Sequence, residues 1–176
     1  TGGLAILFII PIALAGPDGP PISALPLDVR EFDQVDAVLD QVLEQHGRVD
    51  ILINNAGRSI RRSVQHSFDR FHDYERTMQL NYFGALKLIM KLLPVMREQK
   101  FGHIVNISSI SAIRPRGLTP YTTSKGAVEA LTKAMAVDHA RDGVRVNAIE
   151  PGPVYTPMVY ARGMSEELRE RRRISS

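Results

Sequence analysis

The chain of 176 residues contains no cysteine. That absence removes disulfide frameworks, thiolate metal sites and thiol nucleophiles at once. A long hydrophobic run is missing too. The apolar stretch from Leu4 to Ala15 is interrupted by Pro11 and falls well short of the roughly 20 residues that cross a bilayer as a helix. No basic stretch precedes it, which argues against a secretory signal. Nor is there an excess of one charge: 22 Lys and Arg against 19 Asp and Glu leave +3, too little to demand a nucleic-acid or membrane partner. The run Arg171, Arg172 and Arg173 reads as a solvated terminal face. The five histidines show no paired ligand spacing, so no metal site is expected. What remains is 44% hydrophobic and 23% charged residues, enough for one packed core without a membrane span, and the lack of cysteine is compatible with the reducing setting of a cytoplasmic protein.

Along the chain, strand-like and helix-like segments alternate. Leu4 to Ile10 reads as a strand, and residues 15–21, rich in Gly and Pro, as a loop. Ile22 to Leu27 is a short apolar run, after which Asp28 and Glu31 resemble a helix start. Phe32, Val35, Val38, Leu39, Val42 and Leu43 recur at helical spacing, predicting a helix from Glu31 to His46 closed by Gly47. Val49 to Asn54 and His103 to Ile107 have the continuous apolar character of strands in a parallel sheet. A long helix is expected from Asp73 to Gln99, kinked or shortened at Pro94. Another is expected from Tyr121 to His139, followed by a strand from Val144 to Ile149. This alternation predicts an α/β fold, a doubly wound parallel sheet of Rossmann type.

Ligands bind open parallel sheets beyond the carboxyl ends of the strands. Small, polar and backbone-exposing residues collect there: Asp28; Asn54-Asn55-Ala56-Gly57; Ser108-Ser109; and residues 151–156, Pro-Gly-Pro-Val-Tyr-Thr. Tyr121 and Lys125 lie four apart on one predicted helix and so share a face. An ammonium beside a phenol favours the phenolate, which suits acid–base work near neutrality. Arg58, Arg61 and Arg62 read as solvated charge in a polar loop.

Asn54-Asn55-Ala56-Gly57, Asn81 within residues 80–84, Ile107-Ser108-Ser109, Tyr121 to Lys125 and Pro151-Gly152 together resemble the short-chain dehydrogenase/reductase family, from about Leu25 to Met164. The resemblance implies NAD(P)-dependent interconversion of an alcohol and a carbonyl, with NAD and NADP both open. Tyr121 would be the general acid or base, Lys125 would lower its pKa and hold the nicotinamide ribose, Ser109 would hydrogen-bond the substrate oxygen, and Asn81 would hold a water linking Lys125 to solvent. Asp28 and Val29 would meet the adenine. Asn54, Ala56 and Gly57 would let the dinucleotide approach, Val154 and Thr156 would fix the nicotinamide amide, and Pro151 and Gly152 would be further cofactor contacts. A small-molecule substrate is implied, and a homo-oligomer is left open.

Three departures accompany the resemblance. Ser109 and Tyr121 are 12 apart, one fewer than is usual in the family, so Ser108 is the alternative to Ser109. Residues 1–23 carry no glycine-rich cofactor turn followed by a helix, and this atypical segment offers at most a surrogate strand before the core at 24–176. The end of the substrate-covering region is also expected to be missing. An interaction module that binds the dinucleotide poorly is therefore the second reading.

Overall fold

The computed structural model describes residues 5–9, 23–115, 117–154, 165–167 and 170. Strand β1 (Ala5–Ile9) pairs antiparallel with β2 (Ser23–Leu27) in a sheet of its own. Ala5–Ile9 is thus a strand, as its apolar run predicts, but it takes no place in the parallel sheet. A parallel connection needs a crossover of a dozen or more residues, usually helical. The intervening residues, dense in Gly and Pro, have no helical pattern to provide one.

Helix α1 (Phe32–His46) buries Val35, Leu39 and Val42 along one stripe. Gly47 ends it in the left-handed region, φ 71°, with its N–H on the Leu43 carbonyl at 2.8 Å. The helix start expected at Asp28 and Glu31 lies at Glu31, which makes no side-chain cap. Asp28 instead heads a turn, its carbonyl accepting from the Glu31 N–H at 3.0 Å and its carboxylate from the Arg30 N–H at 3.0 Å.

Strands β3 (Ile51–Asn54), β4 (Gly102–Ile107) and β5 (Val144–Ile149) form a parallel sheet in that order, with Asn54 opposite Asn106 and Ile107 opposite Ile149. The α/β alternation of the sequence is therefore present. Helices α2 (Phe71–Met78) and α3 (Gly84–Glu98) are joined by a π-helical turn at Gln79–Phe83, and α4 (Thr119–Asp138) precedes β5. Pro94 neither ends nor shortens its helix, which continues to Glu98. Pro94 and Met90, whose carbonyl it deprives of a partner, both lie on the exposed side, where water can serve that carbonyl.

Leu52, Ile104, Val144 and Val146 from the sheet meet Val35 and Leu39 of α1, Leu88, Ile89, Leu92 and Met96 of α3, and Met135 of α4 in one core. Ion pairs from Lys87 to Asp36 and from Lys91 to Asp40, both 2.6 Å, lace α3 to α1. The described helices thus supply one of the two layers that a doubly wound sheet carries. On the opposite face Ile51 and Ile53 are 39% and 59% exposed, and Arg145 and Asn147 are exposed.

Candidate functional site

The end of β4 and the loop after β3 meet the first two turns of α4. Tyr121 stands on the first of these turns, half-buried, and Lys125 one turn later is only 5% exposed. The Lys125 Nζ donates to the Ile107 carbonyl at the end of β4, 2.6 Å away, and lies 5.9 Å from the centre of the Tyr121 ring. Burial strips water from the ammonium and lowers its pKa to about 8. The expected pairing of Tyr121 with a cationic neighbour is present in the geometry. A lysine ammonium has three hydrogens, of which the Ile107 carbonyl takes one.

Asn81 sits in the π turn, 2% exposed, and its amide makes three hydrogen bonds. Its Oδ1 accepts from the Arg58 N–H at 2.9 Å, while Nδ2 donates to the Arg58 carbonyl at 3.0 Å and to Ser124 Oγ at 2.9 Å. Ser124 in turn donates to the Tyr121 carbonyl at 2.8 Å. The loop after β3, the π turn and the start of α4 are thereby one hydrogen-bonded unit. Gly57 closes it: a Cβ there would lie 3.4 Å from Asn81 Oδ1 and 3.5 Å from Lys125 Nζ, so the glycine backbone rests directly beside the polar centre.

The two serines after β4 divide their tasks. Ser108 is buried and donates to the Lys125 carbonyl at 3.2 Å, clamping the strand end to α4. Ser109 Oγ accepts from the Ser111 N–H at 3.2 Å, a bond that uses a lone pair and not the hydroxyl hydrogen. The Ile110 N–H donates to the Pro151 carbonyl at 3.1 Å, which brings the segment after β5 alongside, with Gly152 and Val154 exposed. Thr156 lies outside the described residues.

Other expected cofactor contacts are placed less directly. Asn54 is buried, with Nδ2 donating to Asn106 Oδ1 at 2.8 Å, and Asn106 passes the chain on to Thr132 at 2.9 Å. Its side chain therefore faces the sheet interior, and only its backbone is left for a ligand. The half-buried Ala56 follows it into the loop. Val29 is a core residue, packed over Gly84, where an added Cβ would come within 2.7 Å of its Cγ2. The Asp28 carboxylate is engaged by the Arg30 guanidinium, whose hydrogen bonds hold its pKa below the ordinary value. Sequence reading passed over Ser124, Asn106 and Thr132, since buried hydroxyls and amides inside regular elements carry no local signal.

These groups suit the ribose and nicotinamide end of a dinucleotide: an ammonium with unspent hydrogens, a bare glycine backbone and exposed residues at Gly152 and Val154. The described residues contain no glycine-rich turn opening a helix to hold a pyrophosphate. No group of three or more potential metal ligands occurs among them, and no described helix is long and apolar enough to cross a membrane.

Residues 13–167 match the family model described as short chain dehydrogenase. An uncharacterised oxidoreductase of Mycobacterium bovis is 50% identical over 135 residues, covering 76% of this chain and 40% of that protein. A fatty acyl-CoA reductase of Acinetobacter baylyi is 44% identical over 138 residues, covering 78% and 47%. A crystal structure of a short-chain dehydrogenase from Streptomyces avermitilis superposes with a TM-score of 0.71 at 35% identity, covering 78% of this chain and 50% of that one. An NAD+-bound xylitol dehydrogenase gives 0.68 at 34% identity, covering 74% and 52%, and ElxO with NADP bound gives 0.70 at 30%, covering 85% and 56%. The chain spans about half the length of the curated relatives it matches.

Proposed function

Because this chain belongs to the short-chain dehydrogenase family, we propose that it interconverts an alcohol and a carbonyl compound with NAD or NADP as the hydride carrier. When bound, the nicotinamide dinucleotide supplies the hydride for reduction and accepts it in oxidation. Tyr121 gives its hydroxyl proton to the carbonyl oxygen during reduction and takes the alcohol proton in the reverse direction. Lys125 favours the phenolate through its charge, and its remaining hydrogens would hold the ribose. Ser109 donates its hydroxyl hydrogen to the substrate oxygen, where negative charge develops.

Both Nδ2 hydrogens of Asn81 are taken, so a water linking Lys125 to solvent is held by the remaining lone pair of its Oδ1 or by the main chain of the π turn. Gly57, with the backbones of Asn54 and Ala56, would let the dinucleotide approach closely. Asp28 and Val29 meet the adenine, Val29 through its backbone. Pro151, Gly152, Val154 and Thr156 hold the nicotinamide. One observation carries the reading: a buried ammonium fixed by the Ile107 carbonyl, one helical turn from a half-buried tyrosine.

The test is turnover of NADH or NADPH by the purified chain with short aldehydes. Tyr121→Phe is expected to abolish it, since positioned proton transfer contributes roughly 10²–10⁴-fold. Turnover that survives this substitution unchanged would overturn the mechanism.

A further inference from the structure

The segments that frame the mouth of the site are unbalanced in charge. Residues 55–62, 108–115 and 151–154 carry Arg58, Arg61, Arg62 and Arg114 without a single aspartate or glutamate, in a chain whose net charge is only +3. Hydrogen bonds draw these segments together around Tyr121. Both backbone groups of Arg58 are held by Asn81, the Arg62 carbonyl accepts from the Thr119 N–H at 3.0 Å where α4 begins, and the Ile110 N–H reaches Pro151. Arg58 adjoins Gly57, whose position faces Lys125 Nζ.

Local carboxylates do not neutralise the whole cluster. Arg62 lies 3.8 Å from Asp73, which also binds Arg70 at 2.7 Å. Arg58 and Arg114 are exposed and form no ion pair with a described residue. A guanidinium fork matches a phosphate oxygen pair in geometry and charge, and a guanidinium without a carboxylate partner gains more from an anion than one already paired.

We propose that the substrate of this site carries a phosphate ester remote from its reacting carbon, and that Arg58 and Arg114 at the mouth hold that phosphate. The inference rests on the alcohol–carbonyl reading above and adds the chemical class of the substrate. The arginines select, while Tyr121 and Lys125 act on the carbonyl.

The experiment compares 3-phosphooxypropanal, the carboxylate analogue succinic semialdehyde and uncharged butanal, each with NADH and with NADPH. Hydrogen bonds to charged groups lead us to expect roughly a 30-fold higher kcat/KM for the phosphorylated aldehyde than for butanal, expressed in KM. In Arg58→Gln/Arg114→Gln that ratio falls toward one. Equal kcat/KM for the phosphorylated and uncharged aldehydes overturns the proposal. So does a preference for the carboxylate over the phosphate, or a double variant that loses NADPH affinity as strongly as it loses the phosphorylated aldehyde, which would assign the arginines to the cofactor. If no aldehyde is turned over, the alcohol–carbonyl reading fails on its own. Calorimetric titration with 3-hydroxypropyl phosphate then decides the site: binding lost in the double variant sustains it, and no binding to the native chain overturns it.

Discussion

Lys125 is the residue at which stability and chemistry pull in opposite directions. Its pKa is about 8 in the folded chain against 10.5 when solvated. Below pH 8 both states hold the proton and the folded state carries the full cost of a buried ammonium. Between pH 8 and 10.5 the unfolded chain binds more protons, so stability rises with pH, by about 3 kcal/mol across the window. Lys125→Met is expected to lack that rise, as urea unfolding at a series of pH values would show. In the native protein, turnover should decline above pH 8 as Tyr121 loses its charged neighbour. The pairing itself was legible in the sequence, because residues four apart on a helix share a face. The burial that tunes the lysine was not, since its ammonium lies against the Ile107 carbonyl at the end of a strand formed by a different part of the chain.

Among the elements, the π turn at Gln79–Phe83 departs furthest from what periodicity foretold. Apolar spacing from Asp73 to Gln99 fits one continuous helix and places the only disturbance at Pro94. The actual interruption lies around Asn81, where a side chain binds the backbone of Arg58 across 23 positions of sequence. A window of neighbouring residues holds no trace of such a bond. Asn81→Ala removes three hydrogen bonds, two of them to main-chain groups of the loop, and should cost about 3 kcal/mol, read from the urea midpoint. Gly84→Ala tests the other end of the turn. Its new methyl would meet Val29 Cγ2 at 2.7 Å, and overpacking of this kind costs about 1–3 kcal/mol.

For the molecule as a whole, the parallel order β3-β4-β5 and the helical layer over Leu52, Ile104 and Val146 follow from apolar runs that a sequence displays openly. The pairing of β1 with β2 does not, because an isolated apolar run has no direction of its own. The opposite face of the sheet presents Ile53 at 59% and Ile149 at 52% exposure, an invitation to self-association. Ile53→Lys is expected to reduce association in light scattering while keeping unfolding free energy within about 0.5 kcal/mol, as surface changes usually do. The buried chain from Asn54 through Asn106 to Thr132 has a different bearing on the whole. Two amides meet across neighbouring strands only when Asn54 stands opposite Asn106. Slipping β3 by one residue would turn Asn54 to the far face and strand Asn106 without its partner in the core. The amide pair therefore works as a proofreading device for assembly: mispaired sheets are penalised before the carboxyl ends of the strands can line up around Tyr121, and the chemistry inherits its alignment from that check.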